Sequence, residues 1–192
     1  MRRTRNVAVV SAIAGALVLG AGVAAVAQAT AAAGSAHPDP DPVAVVSSVI
    51  IPPQLAVPSG QRLVATMDVE RGSQVYTCTS NAYTLLEPAA VLKDRNQLVL
   101  HTRGPEWVSA NDGSAVVGAV VASVPSPGAV PQLLLKSTAN RGTGLFGKVD
   151  FVQRLKTVGG VAPAGTCTDG SQVAIPYHAQ YRFYAPSTNQ NP

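Results

Sequence analysis

The stretch "VAIPYHAQYRFYA", residues 173–185, decides the fold class. Val173, Ile175, Tyr177, Ala179, Tyr181 and Phe183 fall on one side of an extended chain, and His178, Gln180 and Arg182 on the other. That two-residue period is the signature of a strand with one buried face. Pro176 removes a ladder donor and predicts an edge or a bulge.

The same period recurs upstream. In "QRLVATMDV" (61–69), Leu63, Ala65, Met67 and Val69 share a face, and a turn "ERGS" (70–73) is expected next. "QVYTCTS" (74–80) sets Tyr76 and Cys78 on one side and Val75 and Thr77 on the other. "AAVLKDRNQLVLHT" (89–102) reads as two strands around Lys93–Asn96. "SANDGSAVVGAVVASV" (109–124) begins with a turn at Asn111-Asp112-Gly113 and runs into a β-branched strand. "VPQLLLKST" (130–138) and "KVDFVQRLKT" (148–157) add two more. No segment after residue 29 keeps a helical period over three turns. The expectation is an all-β single domain of seven to nine strands, a sandwich or a partly closed barrel.

The N-terminus predicts export. Arg2, Arg3 and Arg5 precede an uncharged run from Val7 to Ala27, which ends in Ala27-Gln28-Ala29, a small-x-small cleavage pattern; Ala36 offers a second site. The run is also long enough to be a retained anchor. The expected organisation is a signal peptide over 1–29, a flexible linker over 30–42, a secreted β-domain over 43–185 and a polar tail over 186–192. After cleavage no stable membrane anchor is expected, and the destination is the extracellular space or cell envelope.

Export changes the charge argument. The chain carries 14 basic against 10 acidic residues. Without the three signal arginines the balance is 11 against 10, and the remaining cations are scattered singly. Neither nucleic acid nor an anionic membrane is an expected partner. An exported chain with two cysteines, Cys78 and Cys167, most simply forms one disulfide. Two buried thiols are the alternative.

The densest polar stretch is "HTRGPEWVSANDGS", residues 101–114. His101, Glu106 and Asp112 are the candidate catalytic residues there. His101, Trp107, His178 and Arg182 are the candidate ligand-binding residues. A triad of Ser114, His101 and Asp112 would need spatial assembly, because no nucleophile elbow is present. Glu106 and Asp112 flank Trp107, and two carboxylates facing one cleft could hydrolyse a glycoside; serving turns is the plainer role for both. His101 and His178 could meet, with Glu106, Asp112 or Asp94, but no ligand spacing predicts a metal. Gly142-Thr143-Gly144-Leu145-Phe146-Gly147 matches the dinucleotide-binding pattern literally, yet "KVDFVQRLKT" after it alternates as a strand, not a helix. The expected structure is a glycine-rich loop with Phe146 tucked onto the core. No nucleotide or other cofactor is expected.

Taken in order, "GSQVYTC", "HTRGPEW" with "DGS", "VQRLKTVGGVAPAGTC" and "IPYHAQYRFY" resemble a family of secreted bacterial and fungal domains of unknown function. The resemblance spans residues 43 to 185. It implies export, one β-rich domain and no established activity, and it supports pairing of the two cysteines. Tyr83 and Gln132 stand where that family commonly has tryptophan, and Thr102 where it has an aromatic. The functional expectation is a non-catalytic binding or structural domain whose partner is an extracellular glycan, protein or small ligand. The alternative is a glycan-active or metal-assisted hydrolase around His101, Glu106, Trp107 and Asp112.

Overall fold

A computed structural model describes residues 49–187. The expected signal peptide, the linker and most of the tail lie outside the described residues. Eight antiparallel strands follow one another: β1 (Gln61–Thr79), β2 (Ala82–Asp94), β3 (Gln97–Thr102), β4 (Glu106–Ser109), β5 (Ala115–Ser126), β6 (Ala129–Arg141), β7 (Phe151–Gly159) and β8 (Gln172–Pro186). Each pairs with the next, and β8 pairs back to β1, so one sheet closes on itself. The ring is irregular: β4 has four residues and meets β5 over only three pairs.

Closure resolves the sandwich-or-barrel alternative, and it leaves no edge for Pro176. That residue sits beside a break in the β1–β8 register between Asp68 and Ser73, opposite Ser73. The same break corrects the expected turn at "ERGS". The chain does not reverse there; β1 runs straight through as a single 19-residue strand with a bulge. Gly72 shows why. A Cβ on it would lie 2.5 Å from the Cβ of Ala90, so β1 presses against β2 as only glycine allows.

The interior is filled by alternate residues of every strand. Met67 and Val69 from β1, Leu92 from β2, Val99 from β3, Trp107 from β4, Val116 from β5, Leu135 from β6, Val152 from β7 and Tyr177, Tyr181 and Phe183 from β8 form one cluster. The expected inward face of β8 is thus the buried one from Tyr177 onward. Eight strands enclose a bore that side chains just fill, or that holds one small ligand.

The two ends of the ring differ. At one end, residues 142–150 fold inward and bury Phe146 completely against Phe183, at 4.8 Å between ring centroids. The Phe146 N–H donates to Ser114 Oγ, and Asn140 Nδ2 donates to the carbonyls of Phe146 and Val149. The glycine motif is therefore a plug, and β7 follows it. At the other end, the Cys78–Cys167 disulfide ties the end of β1 to the 160–171 segment. Backbone bonds from Cys78 N to Ser171 O and from Gly170 N to Cys78 O reinforce the tie.

A second cluster lies outside the ring. Leu55, in a short 3-10 turn (Pro53–Leu55), packs with Leu134, Phe151 and Leu155, and Val49, Ile51 and Val57 join it. Gln153 Nε2 donates to Leu55 O at 2.6 Å, and Tyr184 Oη donates to Gln153 Oε1. β7 is consequently buried on both faces.

Candidate functional site

The end of the ring opposite the Phe146 plug is open. A cavity of about 250 Å³ enters it, lined by residues from all eight strands. Leu85, Leu86, Pro105, Val120 and Leu133 form an apolar wall and rim, and Gln74, His101, Trp107, Arg154 and Tyr181 form the deeper lining. Leu85 and Val120 are exposed at this mouth.

Strand alternation points each deep residue inward. His101 and Trp107 are directly opposite across the β3–β4 pair. Their rings stack with centroids 4.4 Å apart and planes 5° apart, and Tyr181 meets both edge-on. Both are buried, at 2 % and 1 % exposure. His101 Nδ1 lies 2.9 Å from Glu106 O. A carbonyl only accepts, so Nδ1 carries the proton and Nε2 is bare in the neutral ring. Burial lowers the His101 pKa to about 3 against the weaker opposing pull of that carbonyl, and Arg154 lowers it further. His101 is therefore neutral near pH 7 and a poor proton acceptor there.

Arg154 reaches the interior from β7 and is 9 % exposed. Its Nε donates to Pro131 O at 3.0 Å. Among the described residues no carboxylate pairs with it. The one acidic residue of the lining, Glu87, is held at the rim by Arg103 at 3.5 Å. A charge buried without an ionic partner costs several kcal/mol, so this arginine is an expensive feature. Around it stand phenols: Tyr177 Oη and Tyr181 Oη are 3.3 Å apart, and burial raises the pKa of both. Tyr76 Oη donates to Gly160 O. Two further donors are unused. Gln74 Nε2 and Trp107 Nε1 are buried and make no hydrogen bond among the described residues.

The expected site residues divide. His101 and Trp107 come together in the cavity. Glu106, their strand neighbour, faces the other way, toward Arg141 at 3.7 Å. Asp112 sits in the β4–β5 turn, where Oδ1 accepts from Ser114 N and Oδ2 from Leu145 N. It clamps the turn to the plug so closely that a Cβ on Gly144 would overlap its carboxylate. Ser114 is fully buried and its Oγ is taken by Phe146 N–H. His178 and Arg182 lie on the outer face of β8, across the sheet from His101. Among the described residues no three His, Cys, Asp or Glu side chains gather to hold a metal ion.

Bonds from Ser114 and Leu145 pull the Asp112 pKa down to about 2 from 3.8. The folded value is the depressed one, so the carboxylate stabilises fully above pH 3.8 and loses its effect as pH falls toward 2. Asp112→Ala is expected to lower the thermal midpoint at pH 7 and to converge on the wild type near pH 2. A midpoint difference that stays constant over this range would sink the assignment.

Gln74 and Arg154 carried no functional signal in the sequence. Arg154 follows Val152 by two residues and so shares its inward face, but Phe151 and Leu155 make the other face equally apolar. No curated protein and no solved structure matches the chain. From Leu92 in β2 through Ala185 in β8, which takes in His101, Trp107, Arg154 and Tyr181 but not Gln74, the chain is similar to the family described as "Protein of unknown function (DUF3455)".

Proposed function

We propose that this chain is an exported, non-catalytic binding module that holds one small, largely apolar molecule in the open end of its barrel. One observation carries the reading: the cavity of about 250 Å³, apolar at its mouth apart from the Glu87–Arg103 pair and lined at depth by a few convergent polar groups. That combination marks ligand sites. The volume is below the roughly 300 Å³ at which drug-sized pockets begin, which suits a short chain or a single ring. Apolar walls favour such a molecule over a glycan. The disulfide supports an oxidising destination. The groups a hydrolase would use are engaged or apart: His101 is neutral, Asp112 is a clamp, and Glu106 faces Arg141.

Trp107 is the sole tryptophan, so its emission reports the cavity directly. Four probes suffice: octan-1-ol, 2-phenylethanol, octanoate and phenylacetate. At least one is expected to change Trp107 emission saturably and raise the thermal midpoint, with both effects lost in Leu133→Phe, which fills the wall. No saturable response to any of the four overturns the reading.

A further inference from the structure

We propose that the ligand carries a carboxylate, which enters the barrel head first and is bound by Arg154 with Gln74 and Trp107 as flanking donors. This rests on the binding-module reading and names the class of molecule bound.

Three observations support it independently. The first is a count of charge. The cavity lining holds Arg103, Arg154 and Glu87, with Glu87 and Arg103 paired at the rim. Arg154 is left as the uncompensated cation at depth, since among the described residues no carboxylate is within ion-pair distance of it. The second is the supply of donors. Gln74 and Trp107 are each 1 % exposed; Trp107 Nε1 has no acceptor among the described residues, and Gln74 Nε2 makes no direct hydrogen bond although the Tyr177 hydroxyl stands near it. Buried N–H groups are nearly always paired, so two under-used donors on residues that line one cavity favour an acceptor from outside the chain. The third is the order of the lining. Apart from the Glu87–Arg103 pair, apolar residues such as Leu85 and Val120 occupy the mouth, and the unpaired donors lie deeper. A molecule matching this order has an anionic, acceptor-only head and an apolar body. A carboxylate accepts several hydrogen bonds and pairs with a guanidinium in two parallel ones. An ammonium would find acceptors in His101 Nε2 and Tyr181 Oη but would sit beside the like charge of Arg154.

Matched pairs separate this claim from the one beneath it. Octanoate is compared with octan-1-ol, and phenylacetate with 2-phenylethanol, by Trp107 emission and by calorimetry. Each acid is expected to bind about tenfold or more tightly than its alcohol, the difference made by a charge-assisted hydrogen bond. Arg154→Met is expected to collapse the acid-to-alcohol affinity ratio to within about twofold. Gln74→Leu, which keeps the arginine, provides the check if Arg154→Met does not fold: it should lower the acid-to-alcohol affinity ratio several-fold. Acid and alcohol binding within twofold of each other in the wild type overturns the carboxylate proposal while the binding module stands. Silence from all four probes overturns both.

Discussion

Cys78→Ala with Cys167→Ala is expected to lower the unfolding free energy by about 4.6 kcal/mol, the chain-entropy value for a closed loop of this length. The bridged residues are 89 apart in sequence. The bond limits the unfolded chain, and in the folded state it fixes the end of β1 to the 160–171 segment. For a domain of this size the loss corresponds to a midpoint lower by on the order of 10–15 °C. Thermal unfolding of the wild type with and without reductant, beside the double variant, measures it. The reduced wild type and the variant should melt together. A fall of less than about 1 kcal/mol would mean that the two backbone bonds between Cys78 and residues 170–171 hold the segment by themselves.

The second large effect is an acid limb. His101 has an ordinary pKa of 6.5 and a folded value of about 3. Its folded pKa is depressed because the buried ring resists charging. The unfolded state therefore takes up a proton between pH 6.5 and 3 that the folded state refuses. Stability is full above pH 6.5 and falls as pH decreases, by up to roughly 1.4 kcal/mol per pH unit. The groups facing the ring are Trp107, Tyr181, Arg154 and the Glu106 carbonyl; none is an anion that would offset the charge. His101→Phe keeps a ring for the Trp107 stack and removes the titration. Urea unfolding at pH 7, 6, 5 and 4 should show the slope in the wild type and a nearly flat profile in the variant. Equal slopes in the two proteins would refute the assignment.

The fold was legible in the sequence wherever one face of a strand is buried and the other wet. β8 is the clearest case, with Tyr177, Tyr181 and Phe183 inside and His178 outside. The Asn111–Gly113 turn and the inward Phe146 loop were equally readable, because turn chemistry and glycine spacing are local. Where an element is too short or too continuous, the signal failed. β4 spans only Glu106–Ser109, between the bends at Gly104-Pro105 and Asn111–Gly113, and four residues cannot display a period. The bulge in β1 reads as a turn at "ERGS" because a bulge and a turn use the same residues. The first half of β2, Ala82–Pro88, mixes an exposed Leu85 and a half-buried Leu86 with a buried proline and shows no alternation.

The site was only half visible. His101 and Trp107 stood out for their rarity, and their partnership follows from a two-strand register no local pattern displays. Glu106 and Asp112 stood out for their charge, and the structure gives them to an ion pair and a loop clamp. Arg154 shows in the sequence only as part of the motif "VQRLKTVGGVAPAGTC", with no sign of a site, because β7 is apolar on both sides, one facing the barrel and the other the segment at Leu55. Which face looks inward depends on elements about a hundred residues away.

Pairing of β8 with β1 has a consequence for the making of the protein. Gln61 lies opposite Pro186, so the first strand of the ring waits for the last. Tyr177, Tyr181 and Phe183, which complete the interior, arrive with that final strand. Local hairpins can form early, but the long-range contacts carry a large loop-closure cost and slow the search. A chain that lacks residues 172–186 can neither close the ring nor bury Trp107 fully. During synthesis the ring therefore stays open until β8 has been made.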